Sequence, residues 1–339
     1  MEAHFLYNPQ GKRSFCHAPT LLETSAGDLL ASWYAYNQEE HKDACLALVR
    51  RRQGQSEWEV CAPVAGSATG SVGNPVLFQE PAGRIWLLFV VLNGTYWNDA
   101  LLEGVWSEDE GYSWSRPVRL WNEKGLMIKH PPVLRGDGSL MLPVYDESTG
   151  CSRLLVSRSP YDQWEEVYRF AGVRITQPVL VREAAGRLGL FFRPCSDPRR
   201  IWRSHSRDSG ATWSVPMRTP LPNPLSGIGA FVVNRCIAVV YNHTEKHQRF
   251  PLSISLSRNG GTTWETPWHI DTIRHEVSYP SFFLGHNRVI HGVYTYNRRA
   301  IKYVSFAMPS RLWSVSQKSV SSTPSRCKAP ARPLLLEAL

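Results

Sequence analysis

No Cys-x-x-Cys pair occurs in the 339 residues, although there are seven cysteines, at positions 16, 45, 61, 151, 195, 236 and 327. An odd number at wide spacing argues against a disulfide framework or a zinc site and fits reduced thiols, with the cytoplasm as the expected compartment. No apolar run approaches the ~20 residues of a membrane-spanning helix. The start, Met1-Glu2-Ala3-His4, lacks a basic segment followed by an apolar one, so neither a membrane partner nor a secretory leader is expected. No Pro/Gly/Ser-rich linker breaks the chain between residues 3 and 308, which therefore read as one domain. Acidic residues are outnumbered, 29 against 38 basic, for a net charge of +9. Much of that excess lies near the C-terminus, where Arg311, Lys318, Arg326, Lys328 and Arg332 face one acidic residue, Glu337. The rest is unremarkable, and nucleic acid is not an expected partner. Residues 314–339, rich in Ser, Pro and basic side chains without apolar periodicity, are expected to be a disordered tail.

What the chain does have is repetition. Ser206-Arg207-Asp208-Ser209-Gly210-Ala211-Thr212-Trp213 recurs as Ser107 to Trp114 and as Ser257 to Trp264, in the pattern S-x-D/N-x-G-x-S/T-W. The Asp or Asn can accept backbone N–H groups, the Gly supplies positive φ and the Trp packs onto a sheet, all suited to a hairpin. Weaker relatives end at Trp58 and Trp164, so tryptophans fall at 58, 114, 164, 213 and 264, a period of about 50 residues.

Between these turns lie six apolar runs of strand length, led by Gly27, Gly83, Gly138, Gly186, Arg235 and Arg288. About ten residues before each sits a shorter segment, five of the six carrying Pro: His17-Ala18-Pro19, Asn74-Pro75, His130-Pro131, Gln177-Pro178 and Tyr279-Pro280, with the sixth at Ser226. These read as short strands beginning with Pro, where a missing N–H costs little. Four antiparallel strands repeated six times describe an all-β, six-bladed β-propeller. Its sixth blade lacks the turn motif after Tyr303, and the N-terminal Phe5-Leu6-Tyr7 is expected to supply the outer strand and close the ring. A parallel β-helix is the rival, but its rungs are shorter.

In such a blade the first strand lines the channel, and its start shares a face with the loop after the second strand. The turn motifs then lie on the opposite face as scaffold. This arrangement places His17, Asn74, His130, Gln177 and Tyr279 around the channel mouth. The loops joining them are acidic in the first three blades, with Glu40, Asp43, Asp146 and Glu147, and Arg-rich in the last three, with Arg193, Arg249 and Arg298. A mouth with carboxylates on one side and arginines on the other suits an anionic ligand beside a proton donor. Neither His17 nor His130 has a partner at metal-ligand spacing, and no cofactor is implied.

The turn motifs, Asp boxes, and the six-fold repeat resemble the sialidase (neuraminidase) superfamily, in particular its short members with BNR repeats, over roughly residues 3–308. The resemblance implies a glycosidase with an arginine triad for the sugar carboxylate, a Tyr nucleophile paired with a Glu, and an Asp general acid. On this chain Tyr279 matches the nucleophile, Arg193 and Arg249 the second and third arginines, and Asp43 the general acid, with Glu40 as the next choice. Two positions depart from the pattern. His17-Ala18-Pro19 stands where the family has Arg-Ile-Pro, and Gln177 replaces the Glu that pairs with the Tyr. An amide cannot take a proton from a phenol. The expected activity is exo-hydrolysis of a terminal acidic sugar; the alternatives are a carbohydrate-binding propeller without turnover and a lyase or hydrolase on uronic-acid glycosides, with His17 or His130 acting beside Tyr279.

Overall fold

A computed structural model of the chain describes residues 1–7, 13–37, 43–61, 64, 70–92, 94 and 96–307. The tail from 314 and Glu40 lie outside them. In chain order the strands are β1 (Glu2–Tyr7); β2 (Phe15–Glu23), β3 (Leu29–Tyr36), β4 (Cys45–Arg51) and β5 (Glu59–Val60); then β6 (Ser71–Gln79), β7 (Ile85–Leu92), β8 (Ala100–Ser107) and β9 (Val118–Trp121). The third blade holds β10 (Leu126–Ile128), β11 (Val133–Leu134), β12 (Leu140–Asp146), β13 (Cys151–Ser157) and β14 (Glu165–Arg169). The fourth holds β15 (Ile175–Ala184), β16 (Arg187–Pro194), β17 (Arg200–Ser206) and β18 (Met217–Pro222). The fifth holds β19 (Gly229–Val233), β20 (Cys236–Asn242), β21 (Leu252–Ser257) and β22 (Trp268–Asp271), and the sixth β23 (Val277–Leu284), β24 (Ile290–Tyr296) and β25 (Ala300–Phe306).

Each set forms its own antiparallel sheet, and the six sheets make a six-bladed propeller. The first strand of each blade packs against the first strands of its neighbours, with β2 meeting both β6 and β23. The ring closes as expected: β1 pairs with β25, Phe5 opposite Lys302, as the outer strand of the sixth blade.

Two local features differ from the reading of the sequence. The third blade is a five-stranded sheet, because its inner strand is split into β10 and β11, both paired with β12. The break spans Pro131-Pro132, two successive residues with no N–H to give to a ladder. In the first, second, fourth and sixth blades the inner strand begins a few residues before its Pro rather than at it. There Ala18, Asn74, Gln177 and Tyr279, each followed by Pro, adopt φ of 51°, 46°, 47° and 56°. The register of each inner strand slips at this point. Proline is thus accommodated as a bulge inside the strand, where the ladder skips a bond.

The Asp boxes join third to fourth strands, on the face opposite the bulges. In the second blade Ser107 Oγ donates to Asp109 Oδ1 (2.7 Å) and accepts from Gly111 N–H (2.7 Å), while Asp109 accepts from the Ser113 N–H (2.8 Å) and hydroxyl (2.6 Å). The same net recurs at Ser206, Asp208, Gly210 and Thr212, and with an amide at Asn259. The tryptophans that follow occupy equivalent places. Trp58, Trp114, Trp164, Trp213 and Trp264 each enter the apolar cluster between their own blade and the one before it. The hydrophobic core is therefore a ring of inter-blade layers rather than one central mass. No helix among the described residues is long and apolar enough to cross a membrane.

Candidate active site

The bulges decide where the functional side chains go. A left-handed residue inside a strand re-aims its neighbours, and non-glycine residues held there typically cost 1–3 kcal/mol each and cluster at functional sites. Here the displaced side chains of His17, Asn74, Gln177 and Tyr279 meet in one cavity. The second strands end at the same level and add Tyr34, Tyr145 with the following Glu147, and Arg193. Trp97, in a one-turn 3₁₀ helix (Trp97–Asp99), Met127 and Arg298 complete the wall.

Tyr279 is the centre of this arrangement. Its side chain is buried, and its hydroxyl accepts from Gln177 Nε2 at 3.2 Å and Arg193 Nη1 at 3.3 Å. The His17 ring lies against it, centroids 4.1 Å apart and planes at 50°. The Arg249 guanidinium stands 5.6 Å from the centre of the Tyr279 ring. Burial alone would raise the phenol, but Arg193 and Arg249, with the Gln177 donor and Arg298, bring it below the usual tyrosine value. The neighbouring Tyr145 and Tyr34 go the other way, raised by burial. One tyrosine of the three is thus biased towards its phenolate.

Two arginines are braced and one is not. Arg249 Nη1 donates to Glu276 Oε1 at 2.9 Å, and Arg298 Nε to Glu276 Oε2 at 3.0 Å. Burial would push Glu276 up, yet Arg249 and Arg298 hold it below the ordinary glutamate value. Among the described residues no carboxylate forms an ion pair with Arg193, whose Nε is sealed from solvent without a hydrogen-bond partner. On the other side of the cavity Glu147 is raised by burial, with Arg193 opposing the shift. A carboxyl so placed keeps its proton to a higher pH than an exposed glutamate does.

Of the residues singled out in the sequence, His17, Asn74, Gln177, Arg193 and Tyr279 line the cavity and Arg249 stands beside it. His130 does not line it: it is buried, its ring meets the Ile228 backbone, and burial beside Lys129 keeps it neutral. Asp43 is also absent from the wall, its carboxylate accepting from Asn37 N–H (3.0 Å) and Asn37 Nδ2 (2.6 Å). Arg298 and Glu147 were visible as charged loop residues but not as wall residues. Tyr34 and Tyr145 were visible only as aromatics closing the apolar runs, and nothing in the pattern marked Trp97. Among the described residues no three His, Cys, Asp or Glu side chains are placed to hold a metal ion.

Solved structures with this fold are numerous. A Hadza microbial sialidase superposes with a TM-score of 0.71 at 16% identity, over 87% of this chain and 66% of its own. The intramolecular trans-sialidase from Ruminococcus gnavus gives 0.71 at 14%, over 90% of this chain and 96% of its own. A protein of unknown function from Dyadobacter fermentans gives 0.75 at 14%, over 90% and 97%. No curated protein sequence matches. Residues 27–291 match the model of the BNR repeat-like domain, so this six-bladed chain, which shares its fold with sialidases, belongs to the BNR repeat-like family.

Proposed function

We propose that the chain is an exo-glycosidase that removes a terminal acidic sugar, sialic acid or a related acid, from a glycan. The observation that carries this reading is Arg193: a guanidinium at the cavity wall whose polar contact is a tyrosine hydroxyl and whose Nε has no partner. Leaving a half-buried cation unpaired costs several kcal/mol, so an anion supplied by the ligand is its natural complement. Arg193 and Arg249 then hold the acid group, which sets the anomeric carbon near Tyr279.

Tyr279 attacks or stabilises that carbon, and a water molecule then adds to it, breaking any bond to Tyr279 and freeing the sugar. Gln177 cannot act as its base, but as a donor it favours the phenolate, as do the nearby guanidiniums. The arginine field thus takes over the activation that a carboxylate would give. As the glycosidic C–O bond breaks, the leaving oxygen needs a proton, for which Asp43 or Glu40 is the expected donor and Glu147 the carboxyl found in the described wall. Tyr34, Tyr145 and Trp97 contribute aromatic surface to the wall a sugar would meet.

The contact between His17 and Tyr279 favours one second reading, a lyase acting beside the carboxylate of a uronic-acid glycoside. Purified protein screened against fluorogenic sialosides and uronides, with Tyr279→Phe as control, tests both. Release of fluorophore from a sialoside that Tyr279→Phe abolishes supports the glycosidase. An unsaturated product from a uronide supports the lyase. Binding without turnover of either leaves a carbohydrate-binding propeller.

A further inference from the structure

We propose that Arg298 is an acid-binding residue of this cavity, a third guanidinium delivered by the sixth blade beside Arg193 and Arg249. The proposal rests on the acidic-sugar reading above and adds a residue that sets which ligands are held.

Arg298 sits in the tight hairpin between β24 and β25, where Asn297 and Arg298 both have left-handed backbones, φ 50° and 51°. Asn tolerates that conformation, whereas the second position ordinarily favours Gly. A long charged side chain is kept there against its steric preference, and the hairpin is pinned on both sides to allow it. Asn297 N–H donates to the Glu276 carbonyl at 2.6 Å, and Cys16 N–H to the Arg298 carbonyl at 2.9 Å. The second bond fixes Arg298 next to His17, at the inner strand of the first blade. The first blade, which brings no arginine of its own to the cavity, therefore has one placed beside it from across the ring closure.

The side chain is also oriented. Its Nε is bound by Glu276, whose other oxygen takes Arg249 Nη1 and the Ser278 hydroxyl (2.6 Å), and Tyr36 bonds the guanidinium as well. Glu276 is one negative charge shared by two cations, and Arg193 adds a third cation without a carboxylate of its own. Three guanidiniums against the shared Glu276 and the wall's Glu147 still leave net positive charge at a half-buried wall, which a ligand carboxylate completes through charge-assisted bonds. Besides bracing Glu276, Arg298 lines the cavity with His17 and Tyr34, so it borders the space an acid group would fill.

The full chain is titrated calorimetrically with N-acetylneuraminic acid, D-glucuronic acid and the methyl ester of each, as parent, Arg298→Gln, Arg298→Lys and Arg193→Ala. Arg298→Gln is expected to weaken binding of the acid about ten- to a hundredfold while leaving its ester unchanged, and Arg298→Lys to recover part of the loss. Should Arg298→Gln fail to fold, Arg298→Lys decides, with a partial loss on the acid and none on the ester. Acid binding at parental strength in Arg298→Gln, alongside a loss in Arg193→Ala, overturns the role of Arg298 alone. Equal weakening of acid and ester makes Arg298 a brace and overturns it too. If Arg193→Ala also binds as the parent does, or the parent binds neither acid, the acidic-sugar reading falls with it.

Discussion

Gln177 Nε2 donates to the hydroxyl of Tyr279 at 3.2 Å, so the residue beside this phenol is a donor and not a base. Together with Arg193 it stabilises the phenolate, and Tyr279 is expected to ionise below the usual value of about 10. Ultraviolet titration of the parent against Tyr279→Phe isolates this transition. Arg193→Ala should move it to higher pH by removing a cation, and Gln177→Glu should do so by adding a like charge. A transition unmoved by both substitutions would show that neither neighbour acts on the phenol.

The proton donor can be found by varying the leaving group. A general acid contributes about 10²- to 10⁴-fold on poor leaving groups and little on good ones. Glu147→Gln, Asp43→Asn and Glu40→Gln should therefore be compared on a nitrophenyl glycoside and an alkyl glycoside. The donor is the residue whose loss slows only the alkyl substrate. Its pH–rate profile should also lose the alkaline limb.

Beneath the cavity Lys129 is buried, its Nζ 3.3 Å from the Pro19 carbonyl and 5.9 Å from the centre of the Tyr279 ring. Burial pulls its ammonium down to about 7. Between about pH 7 and the ordinary lysine value of about 10.4, the unfolded chain binds a proton that the folded one has released. Stability from this group therefore rises with pH through that window. Lys129→Met should raise the melting temperature at pH 7 and flatten the dependence; a lower melting temperature would mean the bond to Pro19 outweighs the burial of charge.

On the opposite face, Thr212 through its hydroxyl and N–H, and then Ser206, hold the Asp208 carboxyl down at about 2. A folded value below the ordinary ~3.9 means a contribution that is full above about pH 4 and lost as pH falls through about 2. Asp208→Ala should reduce stability at neutral pH and much less at pH 2, with ligand binding unchanged. Trp213→Ala, which opens the layer between the third and fourth blades, should cost about 3–5 kcal/mol in denaturant unfolding.

How far the sequence could be read depended on whether a residue repeated. The Asp boxes, the apolar runs and the tryptophans recur at one spacing, so blade number, strand order and the N-terminal closure at Phe5 were all legible. The split at Pro131-Pro132 was not, because one Pro in an inner strand is absorbed as a bulge and only a second adjacent one breaks the ladder. At the site, the X-Pro repeat led to Asn74, Gln177 and Tyr279, but it gave the same weight to His130. That histidine belongs to the split blade, and its ring turns to the Ile228 backbone in place of the cavity. Arg298 was one arginine in a basic loop until the hairpin bond from Cys16 placed it beside His17. Such contacts join residues nearly 300 positions apart and leave no local signature.

The central claim is that the cavity binds an acid group through arginines around Tyr279, and the affinity ratio between an acidic sugar and its neutral ester measures it most directly. Arg193→Ala and Arg249→Ala should each lower affinity for N-acetylneuraminic acid about ten- to a hundredfold, equivalent to about 1.5–3 kcal/mol, with binding of the methyl ester nearly unaffected. Both variants binding acid and ester as tightly as the parent would contradict the account, leaving the propeller in place without an anion site.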